Sequence, residues 1–280
     1  MSKPIIVFGG TGNTGHRVVL GLLRGGHAVR VITRRPQSDI ARLLESKGAE
    51  LHTGDLQEPW TTWNAVEGCG TVVSCVHIKH AAAVVAAARA GGATRLVAFS
   101  STRRYSRVPC PTVRQVLRGE RAIERSGLDW TIIRPTMIYD GRNDKNVTRL
   151  MAWLRRTRVY PVPMNGGPLV QPVHSDDVAD FAVRIVHETA AVGRAYDLSG
   201  RRPITYREMV EGIGRSIERP PVFVPYPGML VPLAAAVLGN RLRKFGVDRA
   251  TILRLREDKA ISHRAARKDF GYAPREFLDA

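Results

Sequence analysis

The chain begins with a short apolar run, Pro4 to Phe8, and after a glycine-rich stretch places Val18, Val19, Leu22 and Leu23 at helical spacing. An unbroken apolar run of that length predicts a strand buried on both faces; the spacing that follows predicts an amphipathic helix. The same alternation continues through the first half. Strands are predicted at Ala28–Thr33, Glu50–Thr53, Thr71–Val76, Arg95–Ser100 and Trp130–Ile133, and helices over 38–48, 80–90 and 113–126. Gly48 ends the first of these helices and Gly91-Gly92 closes the second. Strand and helix in regular alternation argue for an α/β fold, a Rossmann-type doubly wound parallel sheet.

After Pro135 the pattern changes. Residues 136–170 are rich in loop formers, and helices are expected over 174–187, opened by Ser175 or Asp176, over 205–217 and over 248–260. Residues 220–232 carry five prolines. The expected organisation is a dinucleotide-binding domain at 1–135, to which 171–200 returns, and a smaller C-terminal substrate-binding lobe made of 136–170 and 201–280. That lobe would cover the C-terminal edge of the sheet, where ligands bind in open α/β folds. The apolar run at 226–239, "YPGMLVPLAAAVLG", is too short to span a bilayer. A run of that length is expected to pack into the lobe's core, the alternatives being the wall of an apolar substrate pocket and a contact surface for a partner or membrane.

Bulk composition narrows the classes. With 280 residues and 44% hydrophobic content the chain can bury a sizeable core. No apolar run reaches membrane-spanning length, and the first strand starts too early for a signal-peptide layout. Cys69, Cys75 and Cys110 are odd in number and lack metal-ligand spacing, so no metal site is expected, and reduced thiols in a cytoplasmic protein are. The net charge of +18 is densest in the middle, with 14 basic against 5 acidic residues between 101 and 160. No helix-turn-helix, zinc-finger or RNP-type signature accompanies it, and aromatic content is 6%. Those features argue against nucleic acid as the main partner. An anionic cofactor and a small-molecule substrate suit the same field.

The candidate chemistry starts in the first loop. Gly10-x-Gly12-x-x-Gly15 fits the dinucleotide fingerprint, and Gly9-x-x-Gly12-x-x-Gly15 a close variant, between a buried strand and a helix. Glycines let a pyrophosphate approach the backbone at the positive end of the helix. The second strand ends "VITRRP", placing Thr33, Arg34 and Arg35 where NAD-binding chains carry an acidic residue. A guanidinium there can clamp a 2′-phosphate, so NADP(H) is preferred over NAD(H).

The stretches "GGTGNTG" at 9–15, "TGDL" at 53–56, "VAFSSTRRYS" at 97–106, "SGLDWTIIRPTMIY" at 126–139, "VQPVHSDDVADF" at 170–181, "AYDLSG" at 195–200 and "DKAISHRAARKDFGYAPREF" at 258–277 together resemble the short-chain dehydrogenase/reductase superfamily. The likeness is to its atypical and extended branch, the NAD(P)-dependent epimerase/dehydratase-like and NmrA-like proteins. The resemblance implies that Thr11, Asn13 and Thr14 line the pyrophosphate loop. It implies that Asp55 meets the adenine amino group with Leu56 beside the ring, and that Ser74, Cys75 and Val76 pass the ribose. Ser100 to Thr102 would lie near the nicotinamide, with Thr102 at the usual catalytic Ser/Thr position, and Pro135 and Thr136 would flank the ring. Asp176 and Asp177 are expected to cap a helix. A possible homodimer is implied as well.

The chain departs from this resemblance at its chemical centre. The superfamily's Tyr-x-x-x-Lys general acid/base pair occurs nowhere in the sequence; its two positions fall on Thr112 and Val116. Neither side chain can take over: one is too weak an acid, the other has no proton to give. Tyr105 is the candidate substitute, with Arg103, Arg104 or Arg114 expected to lower its pKa. His77 and His80 are further acid/base candidates. Two functions follow: an NADP(H)-dependent oxidoreductase acting on a small carbonyl compound, or a non-catalytic NADP(H)-binding sensor or accessory protein.

Overall fold

The structure is a computed structural model that describes residues 3–140, 144, 146–163, 167–227 and 253–278. Its core is a seven-stranded, all-parallel sheet built from β1 (Ile5–Phe8), β2 (Val29–Thr33), β3 (Glu50–Thr53), β4 (Thr71–Ser74), β5 (Arg95–Phe99), β6 (Asp129–Pro135) and β11 (Arg194–Leu198), in the order β11-β6-β5-β4-β1-β2-β3. β1, β4 and β5 are buried along their whole length, which is what an apolar run without alternation dictates for central strands covered on both faces.

Helices cover both faces. α1 (Gly15–Arg24), α2 (Asp39–Ser46) and α7 (Ser175–Ile185) pack on one face, where Val18, Leu22, Val178 and Phe181 meet Val7, Val97 and Ile133. α3 (Trp63–Val66), α4 (Ala81–Ala90) and α5 (Pro111–Glu124) pack on the other, where Val84, Val116 and Ile123 meet Phe8, Leu96 and Ile132. Ser38 caps α2 by accepting the Ala41 N–H.

A second cluster lies beyond the sheet. α6 (Val147–Thr157) and α8 (Tyr206–Ser216) bring Leu150, Leu154, Met209 and Ile213 together with Tyr139. Short pairs frame it: β7 (Ile138–Tyr139) with β10 (Val173–His174), β8 (Val159–Pro163) with β13 (Val222–Tyr226), and β9 (Leu169–Val170) with β12 (Ile204–Thr205). α9 (Arg264–Phe270) packs back on β11.

Three expectations change. Of the helix expected over 248–260, residues 248–252 lie outside the described residues; Leu253 is helical, a 3-10 turn follows at Arg254–Arg256, and the rest is not helix. Beyond the turn Glu257 and Asp258 spend their carboxylates on backbone N–H groups of other segments, which holds the chain open. α7 is capped by His174, whose Nδ1 accepts the Asp176 N–H, rather than by Ser175 or Asp176. Asp176 and Asp177 sit inside its first turn, where they favour the positive helix end and bind Arg17 and Arg275. Of the run at 226–239, all but Tyr226 and Pro227 lies outside the described residues. No helix among the described residues is long and apolar enough to cross a membrane.

Candidate cofactor and active site

The strand order reverses between β1 and β4, so the loops leaving those two strands open a crevice at the C-terminal edge. The glycines form its floor. Gly9 has φ +74°, and a Cβ there would lie 2.9 Å from Val76 Cγ1. A Cβ on Gly15 would sit 2.0 Å from the Gly9 carbonyl oxygen, which no side chain can do. The loop is held by Gly12 N–H donating to the Gly9 carbonyl at 3.0 Å and His16 N–H to the Gly12 carbonyl at 3.0 Å. Thr14 stands at the N-cap of α1 without a side-chain cap bond, and the first turn carries no acidic residue. A helix start left uncapped and free of carboxylates is suited to an anion. These features fit a dinucleotide pyrophosphate against Thr11, Asn13 and Thr14.

The crevice is walled on one side by the ends of β2 and β3. Thr33 Oγ1 accepts the Arg35 N–H at 3.1 Å, and Arg34 reaches over to Asp55, Nη1 to Oδ2 at 3.8 Å, with most of its side chain in solvent. Asp55 also closes a turn by accepting the Gln57 N–H. Leu56 packs on the apolar cluster beneath. On the β4 side, Ser74 is buried, Cys75 N–H joins the Phe8 carbonyl at 2.9 Å, and burial pushes the Cys75 thiol up to about 12. Cys69, Cys75 and Cys110 are all free thiols. His77 accepts the Lys79 N–H through Nδ1. Burial, then Lys79, holds His77 and His80 below the usual histidine value.

The far end of the crevice holds the remaining candidates. Thr102 Oγ1 donates to the Pro135 carbonyl at 3.2 Å, so two of the residues expected at the nicotinamide do meet. Tyr105 does not behave as expected. Its hydroxyl donates to Asp197 Oδ2 at 2.9 Å, and burial together with that carboxylate raises its pKa despite Arg134 and Arg104. The expected lowering of its pKa by neighbouring arginines is therefore corrected: the phenol is held above its ordinary value and hydrogen-bonded. Ser100 Oγ donates to Glu120 Oε1 at 2.5 Å.

Three residues of this network were missed by pattern reading. Glu120, on α5, is 2% exposed and receives Arg134 through Nε and Nη2, both at 2.9 Å, as well as Arg104. Arg134, which burial alone would make a weaker base, is held above its ordinary value by Glu120. Asp197 lies beside Arg134 in the β11–β6 register. Its Oδ1 is buried with no partner, and burial raises its pKa. Sequence gave one hint: charged residues inside two otherwise strand-like segments, "TIIRP" and "AYDLS". A fourth missed residue, Arg17, ties the cradle down by donating to the Asn13 carbonyl at 2.7 Å and to Asp176 at 2.5 Å.

The model of the NAD(P)H-binding family matches residues 9–189. The NAD(P)H azoreductase of Xenophilus azovorans is 24% identical over 225 residues, covering 79% of this chain and 76% of that protein. The (4-alkanoyl-5-oxo-2,5-dihydrofuran-3-yl)methyl phosphate reductase of Streptomyces griseus is 30% identical over 226 residues, covering 77% and 74%. An NADPH-dependent quinone oxidoreductase from Escherichia coli shares the fold at 19% identity, with a TM-score of 0.73 over 97% of this chain and 96% of that one. With its glycine cradle, its switch-point crevice and a family match over most of its length, the chain belongs to the NAD(P)H-binding family.

Proposed function

We propose that the protein is an NADP(H)-dependent reductase of small, electron-poor carbonyl compounds such as quinones and enones. One observation carries the choice of acceptor: the hydroxyls of Thr102 and Tyr105 both spend their proton inside the protein, on the Pro135 carbonyl and on Asp197. A simple ketone needs a strong acid at its oxygen when it is reduced. A quinone or enone spreads the incoming charge and leaves a far weaker base, which an acid weaker than a ketone requires, and other than these two hydroxyls, can still protonate. The named activities of the azoreductase and of the methyl phosphate reductase support reduction as the reaction class.

The residues divide the work. Thr11, Gly12, Asn13, Thr14 and Gly15 would hold the pyrophosphate, Arg34 and Arg35 the 2′-phosphate, Asp55 and Leu56 the adenine, and Val76, Ser100 and Pro135 the path to the nicotinamide. When bound, the dihydronicotinamide supplies the hydride. Arg34 supports NADP(H) over NAD(H) because it is exposed at the rim and paired with Asp55 only at 3.8 Å, so it can swing to a phosphate.

The test is NADPH consumption by the purified protein against ketones, quinones, enones and nucleotide sugars, repeated with NADH and with an Arg34→Ala/Arg35→Ala variant. The expected result is turnover of quinones and enones, none of simple ketones, and a double variant that loses NADPH affinity much more than NADH affinity. Tyr105→Phe should keep turnover within about tenfold, below the 10²–10⁴ that loss of a general acid costs. The same engaged hydroxyls favour a second reading, a cofactor sensor; tight NADPH binding with no turnover on any acceptor would establish it.

A further inference from the structure

The segment from Arg254 to Ile261 crosses the C-terminal edge of the sheet as a strap fixed at two points. At one, Glu257 accepts the N–H groups of Arg107 at 2.6 Å and Val108 at 3.1 Å, and the Ser106 hydroxyl at 2.8 Å. That anchor holds the loop leading away from Thr102. At the other, Ile261 N–H donates to Gln171 Oε1 at 2.9 Å, while the Gln171 carbonyl accepts Thr136 Oγ1 at 2.5 Å. That anchor holds the residue after Pro135. Lys259 stands between the two, its N–H bonded to the Leu169 carbonyl at 2.8 Å.

The Lys259 ammonium is half-buried and donates one hydrogen bond among the described residues, to the Arg254 carbonyl at 3.1 Å. An ammonium has three protons to give. Its neighbouring carboxylates are engaged elsewhere, Glu257 on the 106–108 loop and Asp258 Oδ1 on the Leu169 N–H at 2.8 Å. Burial, then Arg254 and Arg103, hold it below the ordinary lysine value against the pull of Glu257 and Asp258.

We infer that Lys259 is the proton donor of this site, delivering a proton from Nζ to the acceptor oxygen that becomes anionic on reduction. The inference rests on the reductase reading above. The acceptor gains two electrons and one hydrogen from the dihydronicotinamide, which is oxidised. The Nζ–H bond then breaks as the O–H bond forms, and the neutral amine regains a proton from water. The proton that α5 cannot give from Thr112 or Val116 is thus supplied from the C-terminal strap.

Two measurements test this. The first uses 4-nitrophenol, a stand-in for the reduced acceptor whose ionised form absorbs visible light. Bound to the wild-type protein it should ionise at least one pH unit lower than free in solution. Lys259→Met should abolish that shift and Lys259→Arg preserve it. The second is turnover of a quinone. Lys259→Met should lower kcat about 10²-fold with NADPH affinity unchanged, the low end for a general acid. Lys259→Arg should lower it as well, because a guanidinium keeps its proton. Wild-type kcat should fall as pH rises through the depressed lysine value, and that limb should vanish in Lys259→Arg. Quinone turnover unchanged in Lys259→Met, or in Lys259→Arg if the Met variant does not bind NADPH, overturns the inference and leaves the reductase reading standing. No turnover by the wild type removes both.

Discussion

Asp197 shows what one misplaced charge does. It sits in a strand, half-buried, with one oxygen on Tyr105 and the other unpartnered. Its folded pKa lies above the ordinary 3.8 because burial outweighs Tyr105, Arg134 and Arg104. The sign follows from linkage. Below the unfolded value both states are protonated and nothing is lost; as pH rises towards the folded value the unfolded chain ionises first and stability falls; above it the loss is constant. Asp197→Asn keeps an acceptor for the Tyr105 hydroxyl and removes the titration. The variant should therefore gain thermal stability over the wild type progressively from about pH 4, then hold a constant advantage at neutral pH. A stability difference that does not change with pH would show that the Arg134 and Arg104 charges already neutralise the site. At this scale the sequence was legible where a residue's own conformation or size decides, as at Gly9 and Gly15, where packing leaves no room for a Cβ. It was illegible at Tyr105, whose pKa depends on a carboxylate 92 residues away.

At the scale of elements, α5 explains the missing acid/base pair. Val116 is 2% exposed and packs with Ile123 in the apolar cluster beneath the sheet. The position aligned with the superfamily's lysine is a core position in this chain. One turn on, at i+4, the same helix face presents Glu120 to Ser100, Arg104 and Arg134. The helix thus exchanges a chemical pair for a buried ion cluster that joins the 3-10 turn at Thr102–Tyr105, α5 and β6. Breaking such a cluster from one side strands the other charges, typically at 3–5 kcal/mol. Because Arg104 keeps some solvent, Glu120→Ala should lie near the low end, about 3 kcal/mol, lowering Tm by roughly 6–12 °C for a chain of this size. Differential scanning calorimetry checks it, and an unchanged Tm would mean the arginines find other partners. Adding Arg134→Met should restore part of the loss. The strands and the longer helices of the first half were legible because each carries an uninterrupted period, whereas α3, only four residues long, carries none and was missed. β11 was not, because Arg194 and Asp197 break its apolar run, and Glu120 reads on its own as one more solvated charge in "RGERAIER".

At the scale of the whole molecule, the cofactor cradle is held by more than its glycines. Arg17 stands one turn into α1 and binds the Asn13 carbonyl and side chain, Asp176 on α7 and, at 3.5 Å, Asp140 after β7. Asp176 in turn faces Arg275 near the C-terminal end, 3.7 Å away. A chain of alternating charges therefore runs from the loop that would carry the pyrophosphate, through the helix that packs beside α1, to the segment that closes the fold. α1 and α7 already meet through Val18, Leu22, Val178 and Phe181, so losing the arginine should leave the helices docked. What changes is the loop: an Asn13 no longer held in place must be ordered by the ligand itself. Arg17→Met retains the apolar stem and removes the bonds. Its cost in binding should be about 1.4 kcal/mol, just under the range for charged hydrogen bonds because the effect on the ligand is indirect, or about tenfold in NADPH Kd. Fluorescence titration with NADPH, beside a thermal melt, separates the two roles. A tenfold weaker Kd with nearly unchanged Tm places Arg17 in cofactor binding. An unchanged Kd with a lowered Tm reduces it to a tie between helices.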